Sequence, residues 1–527
     1  MATPKGFARA IIVITTVTAA VMELIDTSIV NVALSDMSGS LGVNIEDISW
    51  VITSYAIANV IIIPLTGFLA EYFGRRNYYI VSMIIFTAAS YMCAQSTSLV
   101  EIIAWRFIQG VGGGALLSTS QAILFDAFEP KDRPIASGLF GMGIVLGPTL
   151  GPTLGGFIID HASWPLIFMI NIPIGIVATF LSYTFIEKRE GEGKKKKQIK
   201  IDYTGILLLA VGIGCLQYVL ERGEAEDWFN SELIRITSII ATVGLIGFIT
   251  YELSIDHPAV NLKVLNNRNL AFTTIFTFIV GLGLFTSVFV FPVLAQRVLG
   301  FTAYETGLTL LAPTMLTVIM MPIIGKTMSK GVSPIPFVVT GFLLFAAYCY
   351  TSSIMSPDVG KWDFFFPLAL RAVGISMVQL PLINQAVAGL APKDYASGIS
   401  LNNMIRQLGG AFGIALANNY IANRYAQHRM DLVSSMPNGS PALTERLNII
   451  SQGLISKGSD VAGAGTKALA TVNAIVDRQA NYLSYLDTFR LIGIFFIVAI
   501  PLVAFLRVKK KTATEIAAQM KAAAESH

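Results

Sequence analysis

Charged side chains are scarce in this 527-residue sequence. Asp, Glu, Lys and Arg together make up 13% of it, whereas hydrophobic residues make up 54%. Because charged residues form roughly a quarter of an ordinary soluble domain, the composition argues against a soluble protein and indicates one that lies in a membrane. The formal net charge is only +4, which gives little support to nucleic-acid binding.

Cysteine and histidine are also rare. Cys93, Cys215 and Cys349 each fall inside an apolar segment, so no disulfide framework is expected. The four histidines fall between such segments or at the end of the sequence, which argues against a metal or haem site in the membrane. A nucleotide-binding G-x-x-x-x-G-K-T pattern is missing, because Met320 stands where its first glycine belongs. We therefore expect no cofactor and no ATP hydrolysis.

Long apolar segments dominate the rest of the sequence. Fourteen segments of roughly 18 to 25 residues carry few charges, and a helix of that length crosses an apolar core of about 30 Å. We therefore predict an all-α polytopic membrane protein with fourteen transmembrane helices. The predicted spans are 10–34, 48–70, 78–96, 100–124, 135–159, 165–186, 203–221, 233–252, 270–294, 303–325, 335–354, 363–390, 396–420 and 488–507.

The basic residues are distributed unequally between the two sides. When the spans alternate from a cytoplasmic N-terminus, most of the 37 Lys and Arg residues lie on the cytoplasmic side. The short outer loops contain only Arg222, Arg235, Arg297 and Lys361. Because basic residues favour the cytoplasmic side, this distribution predicts that both termini are cytoplasmic.

A short motif occurs twice in the sequence. "PKDRPIASG" occupies 130–138 and "PKDYASG" occupies 392–398, and a lone arginine, Arg106 or Arg371, lies in the span before each copy. Although two short motifs can match by chance, the agreement in span order favours a true repeat. Two six-helix bundles around a midplane site are a recurring transporter plan, so spans 7 and 8 are interpreted as an insertion.

The repeat divides the chain into five predicted parts. The first bundle occupies 1–186, and a basic cytoplasmic linker follows at 187–202. The two inserted helices occupy 203–268, the second bundle 269–507, and a cytoplasmic tail 508–527. The second bundle includes a long outer loop at about 421–487, in which residues 468–486 have helical apolar spacing. Packing on the protein itself is favoured over packing on the membrane surface or on a partner.

Two acids lie in the first span. Glu23 and Asp26 are three residues apart on one helix side, and Asn31 flanks the same face. Burying charge in hydrocarbon is costly, so an acid kept within a span generally faces a cavity or a partner and carries protons or ligands. One interpretation is a proton-carrying pair. The alternative is an acid neutralised structurally by Arg106, which shares a helix face with Gln109.

Several other polar residues of the spans are candidates for a substrate cavity. Small polar groups and buried arginines are typical of such cavities, although they do not indicate the charge of the substrate. The candidate residues are Asn31, Gln109, Arg371, Gln379, Asn384, Asn402 and Arg406.

Charged residues also cluster at the cytoplasmic ends of spans 2 to 5, where opposite charges can pair in one conformation and separate in another. Simple anchoring by positive charge is the alternative interpretation. The candidate gating residues here are Gly67, Glu71, Gly74, Arg75, Arg76, Asp126 and Arg133.

Span 5 contains the stretch "GIVLGPTLGPTLGG". Its glycines recur every four residues and form a stripe that permits close helix packing, while its prolines remove backbone donors. The stripe is either a static seam or a deformable contact between moving helices. Its residues are Gly143, Gly147, Pro148, Gly151, Pro152 and Gly155.

Taken together, these motifs resemble the major facilitator superfamily, and within it the fourteen-span drug:proton antiporters of the EmrB/QacA type. The resemblance rests on "IDTSIVNVAL", "GFLAEYFGRR", "WRFIQGVGGG" and the span 5 stretch, and "WPLIFMINIPIG" and "LQYVLERGEAEDWFNS" resemble EmrB-type signatures. Ser35 replaces a usual proline, and Glu71 stands where aspartate is commoner, so only fine geometry differs.

The resemblance implies a non-enzymatic exporter of the bacterial cytoplasmic (inner) membrane. It implies that amphipathic toxic compounds leave as protons enter, with Asp26 and Arg106 in coupling and the span 5 residues limiting leak. A periplasmic adaptor and an outer-membrane channel are expected partners in double-membrane bacteria. The alternatives are a proton-coupled transporter of one metabolite or lipid-like product, and a receptor or assembly subunit without transport activity.

Overall fold

A computed structural model describes residues 6–129, 131–187, 201–388, 390–391, 394–436 and 440–506. Most of the predicted linker and the whole predicted tail lie outside the described residues, as do Pro130, Pro392 and Lys393 of the repeated motifs. The first half contains α1 (Phe7–Leu41), α2 (Ile45–Ile48), α3 (Trp50–Phe73), α4 (Arg75–Gln95), α5 (Leu99–Asp126), α6 (Arg133–His161), α7 (Leu166–Met169) and α8 (Asn171–Phe185).

Two inserted helices and the second half follow. The insertion consists of α9 (Tyr203–Arg222) and α10 (Glu232–Ser254). The second half contains α11 (Arg268–Val293), α12 (Ala303–Ser329), α13 (Pro334–Ser352), α14 (Phe365–Gln385), α15 (Tyr395–Ser434), α16 (Pro441–Ser456) and α17 (Val461–Ala499).

The helices confirm the predicted fold class. In the described part of the chain, thirteen helical segments are long and apolar enough to cross a membrane. The fourteenth span is α15, whose apolar character is reduced by polar residues such as Asn402, Asn403 and Arg406. It packs between α11, α17 and α3, so its polar face is covered by protein. The result is two six-helix bundles and an inserted pair.

The inserted pair is attached to the first half. Helices α9 and α10 pack against each other, and α9 packs against α3. Trp50 at the start of α3 stacks on Tyr218, with ring centroids 5.6 Å apart. Arg222 donates a hydrogen bond of 2.9 Å to the backbone oxygen of Glu46. Aromatic stacking and a buried backbone contact therefore fix the insertion at one end.

The glycine stripe of α6 packs against α1. A Cβ atom at Gly147 would lie 2.5 Å from the Cβ of Leu24, and one at Gly143 would lie 2.9 Å from a methyl group of Val21. A Cβ atom at Gly151 would overlap the side chain of Ser28, and one at Gly155 would lie 2.9 Å from that of Ile29. Helix α6 continues through both of its internal prolines. The two backbones therefore approach more closely than side chains would permit.

The region predicted as a long outer loop is mainly helical. Helix α15 continues to Ser434, α17 begins at Val461, and α16 packs on α17. At 1.5 Å per residue, a helix of 40 residues is about 60 Å long, roughly twice the apolar thickness of a bilayer. Both helices therefore extend beyond the membrane as a pair, which we call the α15–α17 extension.

Ion pairs hold the extension together. Arg424 lies 2.5 Å from the carboxylate of Asp487, and Arg429 lies 2.8 Å from that of Asp477. The hydroxyl of Tyr482 donates a hydrogen bond of 2.6 Å to the backbone oxygen of Met355. Residues 468–486 thus pack on the protein itself, as the favoured interpretation expected. The structure differs from the predicted loop because the sequence becomes less apolar where α15 and α17 pair through charged side chains, so these helical segments do not resemble membrane spans.

Candidate functional site

The acid and the arginine of the first half form a buried ion pair. Asp26 of α1 is 0% exposed and Arg106 of α5 is 1% exposed. One guanidinium nitrogen of Arg106 lies 2.6 Å from Oδ2 of Asp26. Each charge therefore has its counterion within the low-dielectric interior.

Polar side chains of α5 and α8 complete the surroundings of Asp26. Gln109 and Asn171 donate hydrogen bonds of 2.9 and 2.8 Å to its other oxygen, Oδ1. Gln109 also donates to the hydroxyl of Ser90 on α4, at 2.6 Å. Asn171 begins α8, where the short α7 ends, so the break in this span directs its amide toward Asp26. Both carboxylate oxygens are satisfied.

Arg106 is satisfied as well. Its Nε donates a hydrogen bond of 3.0 Å to the backbone oxygen of Val51, and Gln109 accepts another at 2.7 Å. The guanidinium lies over the ring of Tyr55, 4.2 Å from its centroid. A desolvated cation gains from such a contact. The Asp26–Arg106 pair is therefore a buried, hydrogen-bonded element that connects α1, α3, α5 and α8 of the first half.

Glu23 lies in a different environment. The side chain is only 3% exposed. Its Oε1 accepts hydrogen bonds from the amide of Asn59, at 2.9 Å, and from the hydroxyl of Tyr55, at 3.4 Å. Its Oε2 has no hydrogen-bond partner among the described residues. A buried carboxylate with one unsatisfied oxygen is costly, and a proton on that oxygen would remove the charge.

Two arginines of the second half are buried without a carboxylate within ion-pair distance among the described residues. Arg371 is 2% exposed, and one of its nitrogens lies 3.4 Å from the hydroxyl of Thr314. Arg406 is 1% exposed, and its Nε and Nη2 have no partner in the described part of the chain. It lies within electrostatic reach of Glu23 in the other half. Arg371 therefore differs from its repeat counterpart Arg106.

The remaining predicted cavity residues occupy different places. Asn31 is exposed, on the α1 face beyond Asp26. Gln379 and Asn402 are buried, and Oδ1 of Asn402 has no described partner. Asn384 accepts a hydrogen bond of 2.9 Å from Ser137 across the boundary between the halves. Gln109 belongs to the surroundings of Asp26.

The two halves meet at the end of the bundle where α1 begins. The guanidinium of Arg133 donates a hydrogen bond of 3.1 Å to the hydroxyl of Tyr395 and lies 4.9 Å from its ring centroid. Asn403 donates to Ser118 and Gln121 at 3.1 and 3.2 Å. These hydrogen bonds close this end, which we call the N-terminal end.

Two glycines support the same closure. A Cβ atom at Gly67, near the end of α3, would lie 3.3 Å from the backbone of Ser397 in α15. A Cβ atom at Gly325, near the end of α12, would lie 2.7 Å from the backbone oxygen of Pro134 in α6. Each half therefore places a glycine against the first turn of a helix in the other half.

The predicted charge cluster lies at this same end. Arg75 forms an ion pair with Asp126. Arg76 donates a hydrogen bond of 2.5 Å to the backbone oxygen of Tyr183. Gly74 connects α3 to α4 with a φ of 84°, a backbone conformation that favours glycine. Glu71 is exposed. Within the first half, the cluster fixes α4 against α5 and α8.

Sequence reasoning missed several residues of this site. Ser90, Asn171, Tyr55 and Asn59 all contribute hydrogen bonds to Glu23, Asp26 or Gln109. Asparagine is costly to bury in hydrocarbon, so the two amides in apolar segments were a usable signal. Serine and tyrosine are common in apolar helices, and they give no comparable signal.

Comparison with known proteins adds independent information. The sequence model of the Major Facilitator Superfamily matches residues 16–414. The chain is 34% identical to the multidrug export protein EmrB of Haemophilus influenzae, over 78% of this chain and 80% of that protein. It is 33% identical to the fatty acid resistance protein FarB of Neisseria gonorrhoeae, over 95% and 96%.

Solved structures show the same fold. The proton:xylose symporter XylE superimposes with a TM-score of 0.56 at 13% identity, over 97% of this chain and 98% of that one. The human organic anion transporter TETRAN gives a TM-score of 0.54 at 15% identity, over 93% and 99%.

Proposed function

Because this chain belongs to the major facilitator superfamily and is a relative of its EmrB-type multidrug exporters, we propose that it exports amphipathic toxic compounds in exchange for protons. The chain is a multi-pass membrane transporter. The proposal places it in the cytoplasmic membrane of a bacterium with both termini in the cytoplasm, and it assigns the coupling to the buried acids of α1.

The environment of Glu23 carries this proposal. Its Oε2 lacks a partner, whereas both oxygens of Asp26 are bonded. A site that loads and releases protons needs two accessible charge states, and Glu23 can change its charge without breaking an ion pair. Glu23 is therefore the proposed proton acceptor. Asp26 and Arg106 position α1 against α5 and maintain the field around Glu23.

The closed N-terminal end supports alternating access. With both termini in the cytoplasm, the contacts made by Arg133 and Asn403 close the cytoplasmic side. We propose that these contacts persist in the outward-open state of the cycle, in which a proton from outside would reach the buried Glu23. Export requires that these contacts break when the halves rock.

The packing of the α6 glycine stripe on α1 supports such a rocking movement. At this contact side chains of α1 such as Leu24 lie against glycines of α6, so α6 presents no side chains there that would oppose small shifts. Helix α6 also packs against α12 of the other half. We propose that α6 transmits movement of the second half to the helix that contains both acids.

A second candidate is a transporter dedicated to one acidic, lipid-like product. Arg371 and Arg406 favour it, because a buried guanidinium without a carboxylate suits an anionic ligand group. The relative FarB is a fatty acid resistance protein, and its name favours a fatty acid as the substrate. In this candidate, the carboxyl group of the compound contacts an arginine of the second half.

We also propose protein partners for the transporter. In a double-membrane bacterium, the exporter would deliver its substrate to a periplasmic adaptor and an outer-membrane channel. Co-purification of the native protein after mild crosslinking in its host tests this. Recovery of the transporter without any periplasmic protein contradicts it.

The function is tested in proteoliposomes with an acidic lumen. The expected result is uptake of ethidium, an amphipathic cation, with matching loss of luminal protons, because the lumen then corresponds to the cell exterior. Glu23→Gln is expected to abolish both signals, and Glu46→Gln, which changes an exposed acid, is the control. Uptake of labelled laurate but not of ethidium supports the second candidate. Absence of gradient-driven movement of either compound in the unmodified protein contradicts both.

A further inference from the structure

Helix α15 carries a continuous series of contacts with the first half. From the N-terminal end inward, Tyr395 accepts a hydrogen bond from Arg133, Ser397 packs on Gly67, and Asn403 donates to Ser118. These residues lie within three turns of one helix. Closure of the N-terminal end therefore depends on the position of α15.

Arg406 lies one turn beyond Asn403 on the same helix. Its neighbour Met404 packs in a hydrophobic cluster with Val60 and Ile63 of α3, and α3 also supplies Asn59, which holds Glu23. Arg406 thus lies on the part of α15 that packs against α3, the helix whose Asn59 is bonded to Glu23, and both Arg406 and Glu23 are buried. Each of the two groups has atoms without a partner among the described residues.

We propose that Arg406 is a positioning residue that connects the proton on Glu23 to closure of the N-terminal end. When Glu23 is ionised, its attraction to Arg406 holds α15 against the first half, because opposite charges interact strongly in a low-dielectric interior. When Glu23 binds a proton, the attraction is lost and Arg406 becomes an uncompensated buried cation. Separation of α15 from α3 then relieves its desolvation.

The charged groups around Glu23 agree with this assignment. Asp26 lies on the same helix, but its charge is neutralised by Arg106. Tyr55 on α3 donates a hydrogen bond to Glu23 through its hydroxyl group, which therefore keeps its proton and carries no charge. Arg406 on α15 is therefore the cation near Glu23 that has no nearer described counterion. It is also the one that belongs to the other half.

The inference rests on the proposed proton coupling and gives it a direction. A proton taken up in the state closed at the N-terminal end weakens that closure. The halves then open at this end and release the proton there. This order is the one that proton entry requires, because the proton itself favours the conformation from which it leaves.

The test is a distance measurement between spin labels at Asn77 and Lys330. These two positions are exposed, lie at the N-terminal end and belong to different halves. The labels are placed in a variant whose three native cysteines are replaced. In the unmodified background we expect short distances at high pH and an added longer distance at low pH.

Arg406→Gln is expected to raise the ratio of open to closed forms at high pH on the order of tenfold, within the usual range of coupling between sites, and to abolish the pH response. Arg406→Lys is expected to restore that response because it keeps the charge. Arg371→Gln is the matched control, since Arg371 is also buried in the second half but lies on α14, where it contacts Thr314 of the same half.

Three outcomes separate the possibilities. A normal pH response in Arg406→Gln overturns the inference while leaving proton-driven export intact. Equal loss of response in Arg406→Gln and Arg371→Gln also overturns it, because any buried arginine then serves. Absence of proton-driven export in the unmodified protein, measured in the same proteoliposomes, contradicts the proposed function instead. If Arg406→Gln fails to fold, Glu23→Gln decides, because it removes the other charge: the inference expects its N-terminal end to be open at high pH, and a closed end at high pH overturns it.

Discussion

Arg133 and Tyr395 hold equivalent positions in the internal repeat, and they contact each other across the boundary between the two halves. Each lies three residues after the proline that begins its copy of the motif. The repeat therefore brings its own two copies together at the closed end. Gly67 and Gly325 show a similar relationship. Gly67 of the first half packs on α15, which begins in the second copy of the motif, and Gly325 of the second half packs on α6, which begins in the first copy.

This contact predicts graded effects of two substitutions. Tyr395→Phe removes the hydroxyl acceptor but keeps the ring beside the guanidinium, whereas Tyr395→Ala removes both. We expect the ratio of open to closed forms to rise about two- to fivefold for Phe and more for Ala, since a charge-assisted hydrogen bond and a cation–π contact are each of the order of 1 kcal/mol. Spin-label distances at the N-terminal end measure this ratio. Equal ratios in both variants and the unmodified protein would show that the contact does not maintain closure.

The Asp26–Arg106 pair predicts a compensation between two variants. Asp26→Asn leaves a buried arginine without its counterion, so we expect a loss of about 3–5 kcal/mol in stability. Adding Arg106→Gln removes that uncompensated charge and should recover part of the loss. Thermal unfolding in detergent measures both. A double variant that is less stable than Asp26→Asn alone contradicts the structural role of the pair.

Glu23 and Asp26 are predicted to differ in proton release. Addition of substrate to the detergent-solubilised protein should release protons from the unmodified protein but not from Glu23→Gln, because the titrating group is then absent. Asp26→Asn should retain release wherever it remains folded. A pH indicator in weakly buffered solution detects the protons. Normal proton release from Glu23→Gln would show that another acid carries the proton.

The packing of the α6 glycine stripe on α1 predicts that the effect of a Gly→Ala substitution depends strongly on its position. Gly147→Ala places a methyl group 2.5 Å from the Cβ of Leu24, which forces α1 and α6 apart and should cost about 1–3 kcal/mol. The same substitution at Gly39 is the control, since a Cβ there meets nothing within 4 Å. Unfolding temperature and export rate are measured for both. If Gly147→Ala matches Gly39→Ala in both, the close contact has no mechanical role.

Much of the fold follows from the sequence, because a helix in lipid must be apolar and of a set length. Because charged residues are unusual in such helices, Glu23, Asp26 and Arg106 could also be singled out from the sequence. The rule failed for the α15–α17 extension, since helices outside lipid need no continuous apolar run. The partners Asp477 and Arg429 are 48 positions apart, and such pairing has no local signal.

The site was predictable only in part for a related reason. A lone acid in a span indicates that some partner exists, but it does not indicate which of two neighbouring acids is satisfied. That difference depends on Gln109 and Asn171, which converge on Asp26 from different helices. How near Arg406 of the second half comes to Glu23 depends on how the bundles dock. Sequence spacing within one helix contains no information on that docking.

The length of α15 has a practical consequence. This one helix runs without an internal proline from the closed N-terminal end to the far side of the bilayer. A stiff rod that tilts at one tip moves in the opposite sense at the other tip. An antibody fragment that holds the protruding tip still should therefore stop transport, although it binds far from the buried residues of the bundles.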